Sequence, residues 1–106
     1  MYCLTVSYPK AEGTSFDFEY YQQTHIPLCA RLFGEHGYVG YTLRTEEGKG
    51  PGSGDLGYAS IDLIFESREH LQAALAAGAA EVGADVANYT DTQPRMSFSE
   101  MSLNVG

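Results

Sequence analysis

At 106 residues the chain is sized for a single domain, residues 1–106, whose core is small enough to gain from burial against a second copy. Fourteen Asp and Glu against six Lys and Arg give a formal charge of -8 and leave no basic stripe, which argues against nucleic acid and anionic membranes as partners. No run approaches the roughly 18 to 20 apolar residues of a membrane span, and the N-terminus has neither a basic n-region nor an apolar h-region, so the chain reads as cytoplasmic.

Residues 2–8 alternate Tyr2, Leu4, Val6 and Tyr8 with Cys3, Thr5 and Ser7, the period of a strand with one buried face. Pro9 and Gly13 close it. Asp17 is suited to cap the first helix, with Phe16 before it and Tyr21 at the fourth helical position as a hydrophobic staple. That helix is predicted to run to about Phe33 and to stop at Gly34. Phe18, Tyr21, His25, Leu28, Cys29 and Leu32 recur along it at helical spacing, so His25 lies on the inward, apolar stripe. Pro27 lacks an N–H, collides with the carbonyl of Gln23 and pushes Ile26 away from helical geometry, which predicts a kink or break beside the histidine.

Alternation over 38–45 and again over 58–66 predicts the second and third strands. Between them Glu46 to Gly57 reads as a long mobile hairpin loop, with a lid as its functional alternative. Its glycine-rich run is not a phosphate cradle, because no helix start follows and the G-K-[ST] ending is missing. Ser67 caps a second helix with Leu71, Ala74, Leu75 and Gly78 on one face, continuing through Val82 and Val86, bent at Gly83 and ending around Asn88. A last strand, Arg95 to Val105, follows Pro94. Phe65 and Phe98 are assigned to the core, His70 to the surface and His36 to a turn.

The order β-α-β-β-α-β predicts an α+β, ferredoxin-like fold with a four-stranded antiparallel sheet and two helices on one face. The second face, with Thr5, Ser7, Thr42, Ser60 and Asp62, is mixed and suits solvent or a partner sheet.

An inward histidine is often a core residue with satisfied hydrogen bonds. Tyr20 and Tyr21 beside His25 shift the reading toward a small-molecule pocket, because they bring phenols to an imidazole on an apolar lining. Cys3 and Cys29 read as reduced, packed thiols, and Cys29, four residues after His25, as packing rather than nucleophile. The three histidines have no metal-ligand spacing, so no metal site is predicted.

Phe16-Asp17, Tyr20-Tyr21 and His25-x-Pro27-Leu28 together resemble the signature of the EthD family in the dimeric α+β-barrel superfamily. Tyr58-Ala59 into Ile64-Phe65-Glu66-Ser67, and Asp85-Val-Ala-Asn-Tyr-Thr-Asp91 against the family's D-x-x-N-F-T-D, extend the likeness over most of the chain. Tyr89 replaces the usual phenylalanine. The resemblance implies a homodimer with facing sheets, a pocket between helices and sheet, and a setting in ethyl tert-butyl ether degradation beside a cytochrome P450 system. It does not fix a reaction.

On this footing His25 is the candidate general acid/base, since an unperturbed imidazole titrates near pH ~6.5. Tyr20, Tyr21 and Tyr89 are candidates to orient a substrate oxygen, and Asp91 or Asp85 to fix the imidazole tautomer, with Asp91 taken into the substrate site. The expected protein is a cofactor-independent enzyme, or an accessory factor, acting on a small apolar or xenobiotic compound. The alternative is a non-catalytic carrier for a hydrophobic intermediate. A haem-degrading activity would require His25 as axial ligand.

Overall fold

The computed structural model describes residues 1–51 and 56–104. Its strands are β1 (Tyr2–Pro9), β2 (Tyr38–Thr45), β3 (Gly57–Phe65) and β4 (Arg95–Glu100). They form one antiparallel sheet in the order β2-β3-β1-β4. Between β1 and β2 the chain winds through α1 (Phe18–Tyr20), a π-helical segment (Tyr21–His25) and α2 (Ile26–Phe33), and between β3 and β4 through α3 (Arg68–Asp85) and a 3-10 turn (Val86–Asn88). This is the ferredoxin-like α+β arrangement that the sequence predicts.

Register divides the sheet into two chemically distinct faces. Leu4 opposes Leu63, Val6 opposes Ile61 and Tyr8 opposes Ala59, so these side chains share the face that packs on the helices. The other face carries Thr5, Ser7, Ser60 and Asp62 and satisfies itself. Thr5 and Thr42 each donate to the Asp62 carboxylate, at 2.6 and 2.8 Å, and the Ser7 and Ser60 hydroxyls lie 3.2 Å apart.

Both helix starts form as the sequence dictates. Asp17 accepts from the Tyr20 amide, while Phe16 and Tyr21 meet edge to face with ring centroids 5.0 Å apart, which is the staple. Ser67 accepts from the His70 amide. Gly78 lets α3 close on α2, since a Cβ there would lie 2.9 Å from Leu32 Cβ and 3.1 Å from Phe33 Cε1.

Several expectations are corrected. Ile26 keeps right-handed helical angles (φ -62, ψ -44), and no break occurs beside His25. The chain takes a wider turn instead, in which the Ile26 amide reaches the Tyr21 carbonyl, and Pro27 falls in the first turn of α2. Gly83 lies inside an uninterrupted α3. The last strand stops at Glu100, and Val105 lies outside the described residues. Phe98 is not core. It opposes Leu4 on the helix-side face, but β4 is an edge strand that the helices do not cover, and Phe98 is 55% exposed. Of the predicted hairpin loop, with its lid alternative, residues 52–55 lie outside the described residues.

Candidate functional site

The helical run before β2 and the end of α3 converge on one carboxylate. His25 Nδ1 lies 2.9 Å from Asp85 Oδ2, and Asp85 Oδ1 accepts from the Tyr20 hydroxyl at 2.6 Å and from Asn88 Nδ2 at 2.9 Å. Asp85 and Asn88 are three residues apart across the last turn, so one helical end supplies both groups.

Burial opposes ionisation of Asp85, but the hydrogen bonds from Tyr20, Asn88 and His25 outweigh it and hold the carboxyl below its ordinary range. The ionised carboxylate only accepts, so His25 Nδ1 carries a proton and donates it. Burial lowers the pKa of His25, and the attraction of Asp85 offsets this only in part. At neutral pH the ring is therefore neutral, with its Nε2 lone pair available.

His25 is 4% exposed and is walled by aromatic rings. Tyr21 stacks on it with centroids 5.6 Å apart and planes 16° apart, and the Tyr89 ring lies 4.6 Å away. Beneath them, between the sheet and the helices, is a cavity of about 90 Å³ lined by His25, Tyr8, Tyr21, Leu63, Val82 and Met96 among other, mainly apolar, residues. Cofactor-sized sites of about 300 Å³ and above exceed it, so a haem is too large for this cavity as it stands.

The sequence candidates separate by position. His25 and Tyr21 both line the cavity. Tyr20 does not, because its hydroxyl is spent on Asp85. Tyr89 touches His25, and its hydroxyl lies 2.7 Å from the Tyr8 hydroxyl. Asp91 is directed elsewhere. It accepts from the Ser15 amide at 2.9 Å and so ties the segment after α3 to the loop before α1. Of the two carboxylates, Asp85 is the one that meets the imidazole. Cys29 also lines the cavity, where burial first, and then the Asp85 charge, push its thiol up to about 12, so it is no thiolate nucleophile at neutral pH.

Sequence reading missed two participants, Tyr8 and Asn88. Alternation places Tyr8 on one face of a strand and says nothing of what its hydroxyl meets. Asn88 was visible in the D-x-x-N spacing, where a helical period places it beside Asp85. Among the described residues no three His, Cys, Asp or Glu gather as a metal-binding set, and no helix is long and apolar enough to cross a membrane.

Solved structures show the same fold. An EthD-like protein from Ralstonia eutropha JMP134 is similar at 31% identity and a TM-score of 0.83, over 98% of this chain and 94% of that one. An ethyl tert-butyl ether (EthD) family protein from Bacillus halodurans C-125 is 20% identical with a TM-score of 0.71, over 96% and 99% of the two chains. SnoaB, a cofactor-independent oxygenase from Streptomyces nogalater, shares the fold at 13% identity and a TM-score of 0.63, over 98% of this chain and 94% of its own. No curated protein sequence matches. The EthD domain model matches residues 13–93, a span that contains the His25, Asp85 and Asn88 constellation, and with it the chain belongs to the EthD domain family.

Proposed function

We propose that this protein, acting as a single domain over residues 1–106 and as a homodimer in the cytoplasm, is a cofactor-independent enzyme, or an accessory factor to one, that handles a small apolar compound. Degradation of a xenobiotic beside a cytochrome P450 system is the setting the family likeness favours. The observation that carries this reading is the His25 to Asp85 contact at the wall of a small apolar cavity. Asp85 holds Nδ1–H, and Nε2 takes a proton from the substrate and later returns it. The positive charge that develops on the ring meanwhile is stabilised by the carboxylate.

A crystal structure of the purified protein with density for a co-purified molecule against His25 would support this reading. A dry, collapsed space there would count against it. Given a substrate, His25→Ala is expected to lower turnover by about 10²- to 10⁴-fold in a folded protein. Unchanged turnover would end the acid/base role.

The dimer draws support from Met96, Phe98 and Tyr41, large apolar side chains exposed on the two edge strands. A light-scattering mass of one 11.5 kDa chain would contradict it. The carrier reading is favoured by the scarcity of polar groups in the cavity. It requires binding that is flat with pH and that loses only about 1 kcal/mol in His25→Gln.

A further inference from the structure

Among the described residues two buried phenols have hydroxyls with no hydrogen-bond partner, those of Tyr21 and Tyr38. Tyr21 is the one that lines the cavity, and it is 1% exposed. Tyr20 donates to Asp85, and the Tyr8 and Tyr89 hydroxyls share one hydrogen bond in which either can be the donor. An orphaned buried hydroxyl costs free energy in the empty protein, and that cost is recovered when a ligand supplies an acceptor.

Building on the proposed function, we infer that Tyr21 is the hydrogen-bond donor to the substrate, and that the substrate is a compact, mainly apolar molecule bearing one uncharged acceptor oxygen, a carbonyl or an ether. The donor role follows from protonation. Burial first, and then the nearby Tyr8, raise the Tyr21 pKa, so the group stays a phenol throughout the neutral range. The neutrality of the oxygen follows from the lining. It includes neither Lys nor Arg, so a carboxylate or phosphate in this cavity would be left without a counter-charge. The stacking of Tyr21 on His25 places donor and base on one wall, so the oxygen that Tyr21 holds belongs to the same small molecule whose proton His25 moves.

The test uses two ligands of equal shape, cyclohexanone and methylenecyclohexane, which differ in the acceptor oxygen. Their affinities are measured for the wild-type protein and Tyr21→Phe. Tyr21→Phe is expected to weaken cyclohexanone about fivefold and leave methylenecyclohexane unchanged. Its thermal midpoint should stay close to wild type, because the Tyr21 hydroxyl makes no full hydrogen bond and only a weak contact with Tyr8. If both ligands bind and Tyr21→Phe shifts them equally or not at all, the Tyr21 role is overturned while the His25 reading survives. If neither binds the wild-type protein, the ligand cavity itself is refuted, and this assignment goes with it.

Discussion

Asp85 and Asp91 sit in one short segment, and each ties that segment to the chain before or within the first helical run, yet their surroundings give them different work. Asp91 accepts an exposed backbone N–H from Ser15, a loop-fastening bond that water competes with. Asp85 accepts three side-chain donors and touches a 4% exposed imidazole, which in turn lines a cavity. The same functional group is a fastener in one place and a pKa-setting partner in the other. The difference comes from how many donors converge and how dry the far partner is.

The largest expected effect is on Asp85. Asp85→Ala leaves the buried His25 N–H without an acceptor and frees Tyr20 and Asn88, and about 2 kcal/mol of stability should be lost in urea unfolding. A loss no greater than that of Asp91→Ala would erase the distinction.

Acid should reveal it as well. The folded state resists protonating His25, whose pKa lies below 6.5, so that contribution to stability is complete above pH 6.5 and is lost as pH falls through the folded value. Asp85 is likewise depressed below 3.8, so its contribution persists to lower pH and then disappears. His25→Gln should remove the first loss from the pH profile of the thermal midpoint, whereas Asp91→Ala should leave both.

A middle-sized effect belongs to Tyr89→Phe, which removes only the hydroxyl. It strands the buried Tyr8 hydroxyl and should cost about 1 kcal/mol, measured by chemical denaturation. An unchanged midpoint would mean that the 2.7 Å contact contributes nothing net. The smallest change is Asp91→Ala itself, at about 0.5 kcal/mol, with no displacement of the His25 titration. A displaced titration would make Asp91 part of the site after all.

The sequence made the β-α-β-β-α-β order and both helix caps legible, because alternation and capping chemistry are local signals that Asp17 and Ser67 carry by themselves. It was misleading at Ile26, where the cost of a proline in a helix is met by a π turn. An i to i+5 bond has no signature in composition. Phe98 was misplaced because its hydrophobicity says that it faces the core side, which it does, but not that β4 is an edge strand beyond the reach of the helices.

At the site, helical periodicity brought His25 inward correctly. The choice between Asp85 and Asp91 was beyond it, since the chain leaves the helix between them and periodicity ends there. The meeting of Tyr8 with Tyr89, 81 positions apart in the chain, is a product of tertiary packing that neither strand nor helix pattern records.

The claim on which the account rests is that Asp85 fixes His25 as a neutral, Nδ1-protonated ring with a free Nε2. Nitrogen-detected NMR of the imidazole during a pH titration of the wild-type protein tests it directly. The account predicts the Nδ1–H tautomer and a midpoint below 6.5. An Nε2–H tautomer, or a midpoint at or above the ordinary histidine value, would contradict it.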